Sequence, residues 1–268
     1  MSAIQDPPNT PSNSRPRNDY SRAERFWLTL RAALFWLGML LSTLLIAPLS
    51  LLTFPLPFHW RYRFIGQWAR FNLWWLKKTC RLSYQIEGGA HIPGGNAIIM
   101  AKHQSAWETL ALQRIFGPQV WVLKRELLWV PLFGWGLAML EPIAIDRKAG
   151  RKAVRQVVEQ GTQRLNAGRC VVIFPEGTRV APGERKRYGI GGALLAEHSG
   201  YPVVPVAHNA GEYWSRRSFI KRPGSIRVVI GPPIESRGRR AADIIADVEQ
   251  WVESTMTNIT TFNTKDGC

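Results

Sequence analysis

From Ala32 to Phe58 the chain has no charged side chain, in the run AALFWLGMLLSTLLIAPLSLLTFPLPF. Coiled into a helix, such a run is long enough to cross a hydrocarbon core of about 30 Å. Any fold must therefore cover it with lipid or with protein. A cleaved secretory signal does not fit, because the run is too long, lies too far from the N-terminus and has no convincing small-residue cleavage site. Pro48, Pro55 and Pro57 disfavour one straight helix. Arg15, Arg17, Arg22, Arg25 and Arg31 precede the run, and Arg61, Arg63, Arg70, Lys77, Lys78 and Arg81 follow it. Positive charge marks the cytoplasmic side of a membrane segment, and here it marks both. A hairpin or re-entrant segment with both ends cytoplasmic is therefore favoured over a single crossing. The next stretch, HWRYRFIGQWARFNLWWLKK, mixes Trp, Phe and Arg. It reads either as an interfacial helix or as an aromatic core helix.

Lys and Arg total 35 against 19 Asp and Glu, a formal charge of +16. That balance calls for an anionic partner, and nucleic acid and anionic lipid satisfy it equally. The 12 Trp favour lipid, since several crowd around the apolar segment and indoles prefer the bilayer interface. A purely nucleic-acid role needs no membrane segment. Cys80, Cys170 and Cys268 are widely spaced, with no CxxC pair and no disulfide framework, which suits a reducing, cytosol-facing domain.

After Cys80 short apolar runs alternate with helical patterns, as in βαβ units. Expected strands are 82–87, 96–101, 120–124, 142–145, 170–174, 203–207 and 226–230. Expected helices are 107–116, 147–166 (with Gly168 as C-cap), 190–198 and 239–258. The fold class is α/β: a mixed, largely parallel sheet flanked by helices, preceded by an N-terminal hydrophobic membrane segment. Residues 1–25 read as a disordered basic tail, 26–80 as membrane-embedded or interfacial helices, 81–258 as the α/β domain and 259–268 as a polar tail. The apolar stretch ELLWVPLFGWGLAML, residues 126–140, reads equally as core and as an acyl-chain wall or second membrane contact.

Two segments carry candidate chemistry. His103-Gln-Ser-Ala-Trp-Glu108 follows the strand pattern NAIIMA and opens a helix, the strand-end position where open α/β sheets bind ligands. Residues five apart stand about 140° apart on a helix, so a His103–Glu108 contact needs the turn this sequence supplies. Glu108 has a plainer explanation as well, because Ser105 to Glu108 is a Ser-x-x-Glu capping box. As chemistry, a neutral histidine can take the proton of an attacking alcohol while a carboxylate on its other nitrogen holds the tautomer. No Gly-x-Ser-x-Gly elbow is present, which removes the main support for a serine hydrolase.

The second segment, Phe174-Pro-Glu-Gly-Thr-Arg179, follows the apolar strand CVVIF. Gly177 lets the backbone turn close to a ligand and Arg179 can hold a phosphate through two parallel bonds; a glycine turn with a surface arginine is the plain alternative. Arg147, after the strand IAI, and Lys124, at the end of VWVL, are further cations at strand ends. Asp146 explains the former equally well as a solvated helix cap.

The blocks KHQSAWE, EPIAIDR, FPEGTR and VPVAHNAG stand in the order and approximate spacing of the glycerolipid acyltransferases, whose best-known members are the 1-acylglycerol-3-phosphate (lysophosphatidate) acyltransferases. The chain resembles that family over residues 82–233, with FPEGTR the most specific block. The resemblance implies His103 as catalytic base with Glu108 as its acidic partner. It implies Arg147, Glu176, Gly177, Thr178 and Arg179 as the acceptor site with Lys124 as a weaker addition, and Val204 and Pro205 in a block associated with the acyl donor. The family's usual acid is aspartate; the extra methylene of glutamate lengthens the reach by about 1.5 Å. The expected activity is transfer of a fatty acyl group from acyl-ACP or acyl-CoA to the sn-2 hydroxyl of lysophosphatidate, at the cytosolic face of a bacterial-type inner membrane. A sibling acting on another lysolipid, such as a lyso-ornithine lipid, and a non-catalytic lipid-binding protein are the alternatives. No metal is implied, since no clustered His, Cys and carboxylate spacing is visible, and no cofactor is expected. The expected partners are a lysophospholipid acceptor, the acyl donor and an anionic membrane surface, without nucleic acid.

Overall fold

The computed structural model describes residues 20–260. Residues 1–19 of the tail expected over 1–25, with the arginines at 15 and 17, and residues 261–268 of the polar tail expected over 259–268, with Cys268, lie outside them. Helix α1 (Arg22–Leu51) starts inside the segment read as a tail to residue 25. Its start is fixed by a capping box: Ser21 Oγ accepts the Glu24 N–H at 3.2 Å while Glu24 Oε2 accepts the Ser21 N–H at 2.8 Å.

The prolines end the helix as expected: Pro48 sits in the last turn of α1 and removes an N–H from its hydrogen-bond ladder, and Pro55 and Pro57 fall in the turn that follows. Helix α2 (Phe58–Cys80) then runs back along α1. The reversal lies at residues 52–57, near the end of the uncharged run, so the two helices form a hairpin. Gly38 makes the close crossing possible: a Cβ there would stand 2.1 Å from Trp75 Nε1. Polar bonds set the register, with Trp75 Nε1 donating to the Leu34 carbonyl (3.0 Å), Trp68 Nε1 to Thr43 Oγ1 (3.0 Å) and Asn72 Nδ2 to Ser42 Oγ (3.2 Å). Helix α1 is the one helix among the described residues long and apolar enough to cross a membrane, and only 17% of its most apolar window is buried in the protein. A core helix would be mostly covered; this one leaves Leu37, Leu40, Leu41, Leu44 and Leu45 exposed. Helix α2 combines the two expected readings, burying Ile65, Ala69, Leu73 and Leu76 while exposing Trp60, Phe71 and Trp74.

The rest of the chain builds β1 (Leu82–Glu87), β2 (Ile98–Ala101), α3 (Trp107–Ile115), β3 (Gln119–Lys124), α4 (Phe133–Ala138), β4 (Ile143–Ile145), α5 (Arg151–Asn166), β5 (Cys170–Ile173), α6 (Gly191–Ser199), β6 (Val203–His208), α7 (Ala210–Tyr213), β7 (Gly224–Ile230) and α8 (Ala241–Ile259). One seven-stranded sheet has the order β1-β7-β6-β2-β5-β3-β4. All neighbours are parallel except β6 and β7. The inner strands β2 and β5 are buried throughout, which is why they read as unbroken apolar runs. One sheet face packs Leu76, Trp107, Leu110 and Phe35 beneath α1, α2 and α3. The other packs Val157, Leu195, Ile244 and Val248 of α5, α6 and α8.

All seven strands lie where the apolar runs put them. The helix expected over 147–166 is divided, because Gly150 takes φ +52° between a 3-10 turn at Arg147–Ala149 and α5. The stretch 126–140 forms a 3-10 turn (Arg125–Trp129) and α4, neither of which its broken apolar pattern signals. Chain reversal at β2 places β5 on one side and β6 on the other, so the turn after β2 occupies the switch point of the sheet.

Candidate active site

The strand ends of β2, β5 and β4 converge on one cavity of about 250 Å³, lined at its polar end by His103, Arg147 and Arg179. Its apolar walls come from α1 (Thr43, Ile46, Ala47), from Trp68 of α2 and from Phe133 and Leu137 of α4. The stretch 126–140 thus contributes a cavity wall through Leu127, Phe133 and Leu137, while its Trp129 is 79% exposed.

His103 Nδ1 lies 2.8 Å from Glu108 Oε1. The same oxygen accepts the Gln104 N–H at 3.0 Å and the Ser105 N–H at 2.8 Å. Half of the expected capping box is therefore present: Glu108 reaches back to Ser105, whereas Ser105 Oγ accepts the Trp107 N–H (3.2 Å). One fully buried carboxylate closes the helix start and holds the imidazole. Burial pushes the Glu108 carboxyl up, but His208 and the bonds from His103 and Ser105 outweigh it and keep it below its ordinary value. An ionised Glu108 accepts the Nδ1 proton of His103, which leaves Nε2 with its lone pair. That is the arrangement of a general base. The ring also stacks on Phe174, 4.0 Å between centroids and 10° from parallel.

The turn after β5 is tied to the histidine through the main chain. The His103 N–H donates to Glu176 Oε2 (2.8 Å), and the His103 carbonyl accepts the Val180 N–H (2.8 Å). Gly177 adopts φ +66° with open space where a Cβ would be, so backbone conformation and not crowding selects glycine. Its carbonyl accepts from the Arg147 guanidinium, which bridges the ends of β4 and β5. Burial pushes the Arg147 guanidinium below its ordinary value, with Glu126 opposing.

The scan against family models matches residues 83–209 to the Acyltransferase family. A 1-acyl-sn-glycerol-3-phosphate acyltransferase of Pseudomonas aeruginosa is 44% identical over 235 residues, covering 86% of this chain and 91% of that one. The chain belongs to this acyltransferase family. The human 1-acyl-sn-glycerol-3-phosphate acyltransferase alpha is 26% identical over 191 residues, covering 70% of this chain and 68% of the relative. The crystal structure of the 1-acyl-sn-glycerophosphate (LPA) acyltransferase PlsC from Thermotoga maritima shares the fold, with a TM-score of 0.71 at 21% identity over 91% of this chain and 99% of that one.

Not every residue suggested by the family motifs reaches the cavity of this acyltransferase. Glu176 turns inward: its carboxylate is buried against Lys102 Nζ (2.7 Å), so it does not face an acceptor. Burial pushes its carboxyl up, with Lys102 opposing. Lys124 is half exposed and paired with Glu126 at 3.0 Å, outside the cavity lining. Thr178 is partly buried between Gly177 and Arg179 and is also absent from the lining. Val204 and Pro205 are buried within β6, facing Ile99 and Met100 across the sheet, so neither side chain can meet a donor directly.

Sequence reasoning missed the supports behind the site. His208 is buried, with Nε2 2.8 Å from the Lys102 carbonyl and Nδ1 accepting the Ala210 N–H at 3.3 Å. Burial pushes it below its ordinary value, and the two bonds set its ring orientation, with Nε2 toward the Lys102 carbonyl and Nδ1 toward the Ala210 N–H. Lys102 was legible as a charge ending an apolar strand. Its partner Glu253 lies 151 residues away on α8, beyond any local pattern.

Proposed function

We propose that this acyltransferase moves a fatty acyl group from a thioester donor to the sn-2 hydroxyl of lysophosphatidate, yielding phosphatidate. The observation that carries the reading is the juxtaposition, in one cavity, of a carboxylate-held His103 with Arg147 and Arg179 at the mouth of an apolar chamber. His103 Nε2 takes the hydroxyl proton as the oxygen attacks the thioester carbonyl. The tetrahedral intermediate collapses to the new ester and expels the thiolate, which recovers the proton from the imidazolium. Buried Glu108 stabilises that imidazolium between the two steps. Arg147 and Arg179 hold the phosphate, the Gly177 turn placing Arg179 and accepting from Arg147, and the apolar walls take an acyl chain. Lys124 and the β6 pair Val204 and Pro205 act at most indirectly in this arrangement.

The exposed leucines of α1 support a membrane-bound enzyme whose acceptor arrives within the bilayer, with the catalytic domain on the cytosolic side of a bacterial-type inner membrane. Both acyl-ACP and acyl-CoA present the thioester this chemistry requires. The test is acyl transfer by the purified chain in anionic vesicles, offered labelled lysophosphatidate and a lyso-ornithine lipid with each donor. Lysophosphatidate is the preferred acceptor, and Arg179→Ala raises its KM by about tenfold or more, the loss of a charge-assisted phosphate contact. Equal use of both acceptors, or an unchanged KM in the variant, contradicts the phosphate-directed reading.

A further inference from the structure

Behind the catalytic turn lies a cluster of charges with almost no access to water. Lys102 Nζ, 1% exposed, sits 2.7 Å from Glu176 Oε1 and 2.7 Å from Glu253 Oε1. Tyr188 donates its hydroxyl to the same Glu253 oxygen at 2.9 Å, and Arg185 approaches Glu253 Oε2 at 3.4 Å from the exposed side. None of Lys102, Glu176 and Glu253 lines the cavity.

Burying such groups is costly, and apolar side chains of similar volume generally stabilise a core as well or better. What the charges supply that apolar groups cannot is a fixed geometry, and here that geometry ends on His103. Glu176 uses one oxygen for Lys102 and the other for the His103 N–H, 2.8 Å away. Lys102 is itself the residue before His103, with its N–H donated to the Val206 carbonyl at 2.9 Å and its carbonyl bonded to His208. The peptide plane between residues 102 and 103 is therefore held on both sides. Glu253 belongs to α8, so the far end of the cluster is the C-terminal helix.

We propose that Lys102, Glu176 and Glu253 are positioning residues, a buried anchor that fixes the His103 main chain and fastens α8 to the catalytic turn. This rests on the reading of His103 as the base, and it moves Glu176 from the acceptor site to the scaffold of the base. A positioning residue changes turnover, whereas an acceptor ligand changes acceptor affinity, so the two roles separate in kinetics.

The experiment compares the full chain in vesicles with Glu176→Ala, Glu176→Gln, Glu253→Gln and His103→Ala. Glu176→Ala lowers kcat by about tenfold or more with the lysophosphatidate KM within about twofold, the signature of lost positioning. Glu176→Gln keeps an acceptor for the His103 N–H and recovers most of that loss. Glu253→Gln, on a helix that touches no substrate, lowers kcat by about threefold or more at unchanged KM. Hydrogen exchange at the His103 amide quickens in Glu176→Ala and stays slow in Glu176→Gln. Should Glu176→Ala fail to fold, Glu253→Gln decides, a kcat lowered at unchanged KM supporting the anchor and wild-type kinetics overturning it. A raised KM at retained kcat returns Glu176 to the acceptor site and overturns the proposal, as do wild-type kinetics in the Glu176 and Glu253 variants. Activity in His103→Ala sinks the base itself, while an inactive His103→Ala beside wild-type Glu176 variants sinks only the anchor.

Discussion

Glu108 does two jobs with one oxygen, since Oε1 takes the bonds from His103, Gln104 and Ser105 while buried Oε2 has no hydrogen-bond partner among the described residues. An amide in its place keeps an acceptor for the backbone but removes the charge that stabilises the imidazolium and puts an unpaired N–H where Oε2 was. Glu108→Gln should therefore lower kcat by about 10²–10⁴-fold, as when a triad carboxylate becomes an amide. The helix start costs about 1–2 kcal/mol of stability at most, so a thermal midpoint near that of the wild type should accompany the loss. Turnover within threefold of wild type leaves only the capping role. The capping role was legible from Ser105 and Glu108 alone, and so was the pairing with His103. The sequence pattern cannot show that both are met at once, because that depends on which oxygen each donor finds. Glu176 marks the opposite case: a motif shows that a carboxylate is present but not which way it faces.

Helices α1 and α2 form the element that sequence periodicity described least well. Prolines signalled that the apolar run is not one straight helix, and positive charge on both flanks favoured a hairpin or re-entrant segment. The break falls at residues 52–57, inside that run, and α2 returns along α1 from there; what the pattern did not show is that a single helix continues as far as Leu51. The strands were legible throughout, since inner strands of a parallel sheet are apolar on both faces. The short α4 was not, because six residues complete too few turns to show a period. Gly38 tests the α1–α2 crossing. In an open helix Gly→Ala gains about 0.5–1 kcal/mol; here the methyl would meet the Trp75 indole at 2.1 Å. Gly38→Ala should reverse the sign and destabilise by about 1–3 kcal/mol, read as a lower thermal midpoint and an altered near-UV tryptophan signal. A raised midpoint contradicts the crossing.

Lys221 secures the same helix pair to the domain. Its ammonium stands 3.8 Å from the Trp36 ring and 4.7 Å from the Trp214 ring, donating to the Phe219 carbonyl at 2.7 Å. Burial pushes it down to about 7, while in an unfolded chain a lysine titrates near about 10.4. Between those values the unfolded chain binds a proton that the folded chain has released, so stability rises with pH across the window. The surrounding rings favour the charged form and narrow the window. The thermal midpoint of the wild type should therefore climb relative to Lys221→Met from about pH 7 to about pH 9.5. Parallel profiles for the two proteins contradict the buried ammonium.

At the scale of the whole molecule, the apolar helix and the catalytic cavity are one construction. Thr43, Ile46 and Ala47 of α1 wall the chamber whose mouth holds His103 and the two arginines, while the opposite side of α1 shows its leucines outward. The same helix thus carries an exposed apolar face on one side and a wall of the cavity on the other. The net charge of +16 favours encounters with anionic partners, most strongly at low salt. No local pattern announced that α1 lines the active site, because its contacts to the cavity join residues far apart in sequence. In the mechanism proposed above, this chamber uses His103 to activate a lysolipid hydroxyl. Phosphatidate formation by wild type and His103→Ala, reconstituted in the same anionic vesicles with lysophosphatidate and an acyl thioester, tests it most directly. The account predicts a loss of about 10³-fold or more in kcat with membrane binding and thermal midpoint retained; turnover within tenfold of wild type would contradict it.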